Sequence, residues 1–174
     1  LPEGFKAEVF AKNLGQARVL TFDQNGVLLV SLLKEGRVVA LPDENRDGVA
    51  DKEITLLSKL NSPHGLAFQC EKTCMLYVAE PDAVKAYRYD PATMSATHEK
   101  TLAKLPSNGG HFTRSLLLQP DEQRLLVAIG SLCNVCSESD PLRASVQSID
   151  LKTGEMKLYA KGLRNLVFMA VRPL

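Results

Sequence analysis

The feature that most constrains the fold is an apolar strand pattern that repeats along the chain. Phe22, Phe68 and Leu118 occupy equivalent positions, 46 and then 50 residues apart. After each of them come a turn, a second strand, and a third strand that ends near an acidic residue and another turn. Short strands that repeat every 40 to 50 residues or so are typical of β-propeller blades. Since no helical periodicity is sustained, the pattern predicts an all-β propeller.

The number of repeats indicates how much of a propeller is present. We expect blades at residues 17–57, 64–104 and 114–160, with the first strand of a fourth beginning at about residue 166. A closed propeller contains about four to eight blades. A propeller with fewer blades stays open and leaves the edges of its sheets unpaired. Residues 1–174 are therefore expected to form a partial β-propeller domain, with the other blades belonging to a longer protein or to another copy, or lost to proteolysis.

Composition and charge narrow the functional classes. Apolar residues make up 45% of the chain and charged residues 24%, as in globular proteins. A net charge of +1 and the lack of a Lys/Arg-rich run argue against a nucleic-acid partner. No apolar run reaches about 18 residues, so no membrane span is expected. The chain opens at Leu1-Pro2-Glu3 without Met, and we expect it to be processed or trimmed.

The four cysteines fall into two close pairs, Cys70/Cys74 and Cys133/Cys136. Such pairs are disulfides in exported proteins or thiol ligands in cytosolic ones. The first pair has one intervening residue too many for the commonest zinc knuckle. Ser137, rather than His, follows the second pair, which excludes covalent haem attachment. We expect two local disulfides and hence a periplasmic or secreted protein; four reduced, buried cysteines are the alternative.

Basic and polar residues recur just before the apolar strands. In a propeller blade, the start of the first strand and the loop between the second and third strands lie at the same mouth, so these residues and the long loop 131–143 should meet there. A histidine titrates near neutrality and can act as a base, and arginines grip carboxylates through two hydrogen bonds. The recurring set predicts a site for an anionic ligand, although each member alone, His64 in particular, is also compatible with a structural hydrogen bond. The residues are Arg18, His64, His111, Arg114, Arg164 and Asn165.

An acidic loop follows the third strand of the first repeat. Asp43, Asn45, Asp47 and Asp51 stand at positions 1, 3, 5 and 9 of a loop with Gly48 at position 6, as in the front of a calcium loop. Ile54 stands where a bidentate Glu would complete the ligand set. The loop is expected at the opposite mouth, where it forms either a structural calcium site or an Asx-rich turn.

Taken in order, several motifs resemble the glucose/sorbosone dehydrogenase family, and most closely its sorbosone dehydrogenase-like branch. These proteins are soluble six-bladed propellers that use pyrroloquinoline quinone (PQQ). The matching motifs are Pro63-His64-Gly65, His111 to Arg114, Gln119-Pro120-Asp121, Gly130-Ser131 with Cys133-Asn134-Val135-Cys136, and Gly162-Leu163-Arg164-Asn165.

The resemblance implies roles for individual residues. His111 would take the hydroxyl proton of a sugar or aldehyde substrate while hydride passes to PQQ. Arg164 and Asn165 would contact cofactor and substrate, with Arg18, His64 and Arg114 as further cofactor contacts. The family's catalytic calcium would have its ligands outside this chain. The glucose-oxidising members carry an acid immediately before the base; because Gly110 stands there, another group would have to orient His111.

Two other functions are compatible with the sequence. A non-catalytic propeller could bind a protein or carbohydrate partner on its basic mouth, because fold alone does not fix function. A calcium-dependent, lactonase-like hydrolase would need an axial site rich in carboxylates, whereas the repeated mouth positions here are Arg and His. We therefore rank the quinone-dependent oxidoreductase first; the sequence does not identify its electron acceptor.

Overall fold

The structure is a computed structural model that describes residues 1–119 and 123–172. Pro120 and Asp121 of the Gln119-Pro120-Asp121 motif lie outside the described residues. Within the described ranges the chain forms twelve β-strands and no helix, and hence no helix that could cross a membrane. The strands are β1 Ala17–Phe22, β2 Leu28–Leu32, β3 Arg37–Leu41, β4 Ile54–Leu57, β5 Leu66–Cys70, β6 Cys74–Glu80, β7 Ala83–Asp90, β8 Ser95–Lys104, β9 Leu116–Gln119, β10 Arg124–Ile129, β11 Ser145–Asp150 and β12 Met156–Lys161.

The strands form three four-stranded antiparallel sheets, each in simple consecutive order. Blade 1 contains β1 to β4, blade 2 contains β5 to β8 and blade 3 contains β9 to β12. The first strands of successive blades, β1, β5 and β9, lie next to one another, as expected for the innermost strands of a propeller. The predicted all-β, partial propeller is confirmed.

The fourth blade's first strand does not form within the described residues. Residues 166–172 are irregular, because a strand exists only where a neighbouring strand supplies hydrogen bonds, and none lies beside this segment in the described chain. Instead the segment lies along blade 3, where the hydroxyl of Ser115 donates to the carbonyl of Val167.

Alternating side chains in each strand pack the blades face to face. In β6, Leu76 and Val78 face blade 1, while Tyr77 and Ala79 face blade 3. This period of two is what a sheet buried on both faces requires. On the outer face of blade 1, Phe10, Ala11 and Leu14 from the N-terminal segment pack against a separate apolar cluster in β2 and β3.

Strand register assigns the loops to two mouths. The carbonyl of Gly65 accepts a hydrogen bond from the N–H of Ala79, and that of Ser115 accepts one from Ala128, so the starts of β5 and β9 lie beside the β6–β7 and β10–β11 loops. The residues predicted to line one mouth are therefore on the same side of the sheets. The Cys70–Cys74 hairpin and the acidic loop 43–51 lie at the opposite mouth, because they join the other strand ends.

Candidate active site at one mouth of the propeller

His111 lies in the connection between β8 and β9, and its ring has a defined tautomer. Nδ1 is 3.0 Å from the carbonyl oxygen of Ser131, and Nε2 is 3.3 Å from Nη1 of Arg164. A carbonyl only accepts and a guanidinium only donates. The proton must therefore be on Nδ1, and Nε2 carries a lone pair. The half-buried His111 is thus a neutral imidazole in this arrangement, and the lone pair of its Nε2 lies beside the exposed side chain of Arg164.

Arg164 and Asn165 meet His111 across Gly130. The N–H of Ser131 donates to the carbonyl of Arg164 over 2.8 Å, which fixes the segment after β12 against the end of β10. A Cβ on Gly130 would lie 2.5 Å from Cβ of His111 and 3.1 Å from Oδ1 of Asn165. Only glycine therefore permits these two side chains to approach this closely. Of the predicted site residues, the structure brings together His111, Arg164 and Asn165.

The disulfide loop forms one wall of this site. The predicted disulfides Cys70–Cys74 and Cys133–Cys136 are both present. Within the second, Asn134 accepts a hydrogen bond of 2.8 Å from Nη1 of Arg164. The same guanidinium nitrogen thus contacts the base and the disulfide loop, while the Arg164 side chain as a whole is exposed. An exposed guanidinium beside a neutral base suits an anionic or polyhydroxylated ligand.

Arg114 has a different position from the one predicted. Its side chain is completely buried, and it donates to the carbonyls of His111, Thr113 and Pro106 at 2.6 to 2.9 Å. Burial, and secondarily the charge of Arg143, lowers the pKa of the guanidinium to about 10, so it stays charged at neutral pH. With its Nη atoms bonded to main chain, Arg114 braces the connection that carries His111 instead of facing a ligand at the mouth.

His64 is also structural in its contacts. It is 3% exposed, and its Nδ1 lies 3.0 Å from the carbonyl of Arg114, which makes Nδ1 the protonated nitrogen. A Cβ on Gly65 would lie 2.4 Å from that carbonyl oxygen, so glycine is needed for β5 to approach the β8–β9 connection. Arg18 is exposed near His64. Arg18 therefore stays a candidate ligand contact at the mouth. His64 instead links the β4–β5 connection to the β8–β9 connection through its hydrogen bond to Arg114.

The environment of His64 makes stability depend on pH. Burial lowers its pKa below the usual 6.5, the hydrogen bond to Arg114 partly opposes this, and the charges of Arg18 and Arg114 lower it further. Above about pH 6.5 the residue is neutral in both states. Below that value His64 is protonated in the unfolded chain more readily than in the folded protein, so the free energy of unfolding decreases.

We expect the free energy of unfolding to decrease as the pH falls from 7 to 5, with a contribution from His64 of up to about 1.4 kcal/mol per pH unit. His64→Gln should flatten this part of the profile. The measurement is urea unfolding at a series of pH values, with His98→Gln as control because His98 is exposed. Parallel profiles for wild type and His64→Gln would show that His64 does not carry the effect.

The acidic loop is stabilised by its own main chain. The Asp43 carboxylate accepts from the N–H groups of Asp47 and Gly48, Asn45 accepts from Asp47, and Asp51 accepts from Glu44. Throughout residues 1–119 and 123–172, no group of three or more His, Cys, Asp or Glu side chains is arranged to hold a metal. The oxygens are of the type calcium prefers, and calcium binding here stays a prediction.

The sequence patterns do not predict the roles of two residues in the site. Ser131 contacts His111, and Asn134 contacts Arg164, although the sequence marks both only as members of motifs. Their residue types gave no chemical signal, since serine and asparagine are common in loops. The available signal was positional, because both lie in the long loop that topology places at the same mouth as His111.

The fold and site define a class: a partial propeller with a histidine and an arginine–asparagine pair in contact at one mouth. The match to a family model extends over the whole chain, residues 1–174, and the chain belongs to the TrAA12-like family. This family membership is the established relationship, and the resemblance to the sorbosone dehydrogenase-like branch stays a prediction.

The chain is also similar in sequence to individual proteins. The chain is 29% identical over 188 aligned residues to an uncharacterized protein of Borreliella burgdorferi, covering 100% of this chain and 46% of the relative. It is 27% identical over 113 residues to the pyrroloquinoline quinone-dependent pyranose dehydrogenase of Coprinopsis cinerea, covering 65% of this chain and 15% of that protein. The chain thus spans less than half the length of either relative.

Solved structures agree with the fold. The holo PQQ domain of pyranose dehydrogenase from Coprinopsis cinerea superposes with a TM-score of 0.77 at 24% identity, over 90% of this chain and 41% of that one. The calcium structure of a Trichoderma reesei Carbohydrate-Active Enzymes Family AA12 protein gives a TM-score of 0.72 at 26% identity, over 87% and 39%.

Proposed function

We propose that this chain supplies the catalytic base and part of the ligand site of a PQQ-dependent oxidoreductase that oxidises an aldose, sorbosone or a similar sugar or aldehyde. The observation that carries the proposal is the neutral His111 beside Arg164 and Asn165. Membership of the TrAA12-like family and the similarity to a PQQ-dependent pyranose dehydrogenase support it.

The residues at the mouth fit a quinone that carries carboxylates. Arg164 is exposed, and only its Nη1 has a hydrogen-bond partner among the described residues, so other guanidinium N–H groups can bind an anion. Arg18 adds a second exposed cation, and Asn165 offers an amide next to the base. PQQ, when bound, would supply the hydride acceptor.

The chain's own part in the reaction is proton transfer. Nε2 of His111 takes the proton of the substrate hydroxyl, and the resulting imidazolium keeps its Nδ1–H bond to the carbonyl of Ser131. Arg164 contacts Nε2 in the structure. Because two cations repel, Arg164 must turn from Nε2 toward an anionic ligand as the imidazolium forms. Ligand binding and uncovering of the base are thereby linked.

The finer assignments belong to the same proposal. A sorbosone-like substrate rests on the resemblance of the motifs, and a calcium ion that polarises the quinone rests on the resemblance and on the calcium structure of the Trichoderma reesei relative. A periplasmic or secreted location is supported by two disulfides, which persist in oxidising compartments. The acceptor that reoxidises the quinone is left open.

The deciding experiment is a titration of PQQ, with calcium, into the full natural protein that contains residues 1–174. We expect saturable binding, and we expect Arg164→Ala to weaken it about 10- to 100-fold because a charged contact is lost. Arg88→Ala is the matched control, because Arg88 is exposed on blade 2 and pairs with Glu99 away from the mouth. If the folded protein shows no saturable binding, the non-catalytic partner-binding propeller replaces this proposal.

A further inference from the structure

Ser131 makes an unusual set of contacts for a loop serine. It is 5% exposed, and both its carbonyl oxygen and its Oγ lie 3.0 Å from Nδ1 of His111. The hydroxyl proton is already used, because Oγ donates to the carbonyl of Cys133 over 2.7 Å. The lone pairs of Oγ therefore face the imidazole. Two acceptors of one residue share the Nδ1–H proton.

The same residue connects three parts of the site. Its N–H donates to the carbonyl of Arg164, its hydroxyl donates to the disulfide loop at Cys133, and its two oxygens accept from the base. Asn134 of the disulfide loop in turn accepts from the Arg164 side chain. Each link is a direct hydrogen bond. A substitution at Ser131 should therefore alter the orientation of His111 and the position of Arg164 directly.

We propose that Ser131 is the positioning residue of His111: its hydroxyl and carbonyl hold the imidazole in the Nδ1–H tautomer, and its bond to Cys133 ties that orientation to the Cys133–Cys136 loop. Gly110, which precedes His111, carries no side chain and cannot orient the ring itself. A neutral acceptor orients the ring without adding a negative charge. The assignment deepens the proposed function and rests on it for the role of the base.

Other charged groups around His111 do not supply this orientation. Arg164 contacts Nε2 from the segment after β12, and Arg114 contacts only the His111 carbonyl from within the same connection. Glu138, in the disulfide-bearing loop, accepts from the N–H of Leu132 and contacts Cys136. Arg143 reaches back to the main chain at Pro106 and Asn108. None of these contacts is made to Nδ1, which leaves Ser131 as the group that sets the tautomer in the described structure.

The test is imidazole nitrogen NMR of the ¹⁵N-labelled protein, in which His111 is assigned with a His111→Gln variant and exposed His98 serves as reference. Wild type should show His111 mainly as the Nδ1–H tautomer. Ser131→Ala keeps the carbonyl but loses one of two acceptors, and should shift the tautomer ratio toward Nε2–H by about fivefold. Ser131→Thr, which keeps the hydroxyl, should restore the wild-type ratio. Ser145→Ala is the matched control, because its buried hydroxyl bonds Leu142 and Gln147 rather than His111.

Turnover of the full natural protein gives a second readout. Ser131→Ala should lower kcat about fivefold with little change in KM, and Ser131→Thr should recover it. An Nε2–H tautomer in wild type, or a ratio unchanged by Ser131→Ala, would overturn the proposal; the wild-type spectrum decides even if the Ala variant does not fold. A shifted tautomer in a protein without quinone-dependent turnover would uphold the positioning role and refute the oxidoreductase.

Discussion

Replacing His111 with Gln should lower kcat of the full natural protein about 10²- to 10⁴-fold, which is the usual contribution of a general base. Glutamine fills similar space and can hydrogen-bond both to Ser131 and to Arg164, but it cannot accept a proton near neutral pH. KM should change little, because His111 acts on the transferred proton more than on ground-state binding.

The measurement is steady-state oxidation of an aldose with PQQ, calcium and an artificial electron acceptor. His98→Gln is the control, since His98 is exposed on β8 and contacts Tyr87 rather than the mouth. Binding of PQQ to His111→Gln, followed separately, should stay within a few-fold of wild type. Activity within twofold of wild type in the His111 variant would remove it as the base, whatever the quinone affinity.

Replacing Arg114 with Met should cost about 3 kcal/mol or more in the free energy of unfolding. Methionine fills much of the space but leaves the carbonyls of His111, Thr113 and Pro106 without their donor, and buried acceptors that lose a charged donor are expensive. Part of this loss is offset, because the wild-type protein pays a desolvation cost for burying the Arg114 charge without a carboxylate partner, and the variant does not.

Urea unfolding of the two proteins gives the comparison. Arg88→Met serves as the control, because Arg88 and Glu99 form an exposed ion pair, with 60% of the Arg88 side chain accessible, and such pairs contribute at most about 1 kcal/mol. A loss below 1 kcal/mol for Arg114→Met would mean that water satisfies these carbonyls, and that Arg114 does not brace the connection that carries His111.

The sequence predicts much of this fold because strand alternation is local. Leu76 and Val78 on one face and Tyr77 and Ala79 on the other can be read from four consecutive residues, and the repeat then places equivalent strands along the chain. The residues 166–172 differ because a strand also needs a partner, and periodicity in one segment does not supply one.

The site was predictable only in part. Blade topology places His111, Arg164 and Asn165 at one mouth, but it does not say which way a side chain at a strand start points. Arg114 was therefore assigned to the ligand, although it turns inward to main-chain carbonyls. Ser131 is separated from His111 by 20 residues, and no local pattern marks a contact over that separation.

The stacking of the sheets has a consequence for how the connection before blade 3 is held. Of the three described sheets, blade 2 lies between the other two, and both of its apolar clusters are shared with a neighbour. His64 bonds the Arg114 carbonyl, and Arg114 bonds the carbonyls of His111 and Thr113, so hydrogen bonds join the connections that lead into blades 2 and 3. Moving the connection that carries His111 would therefore disturb the entry to two blades at once.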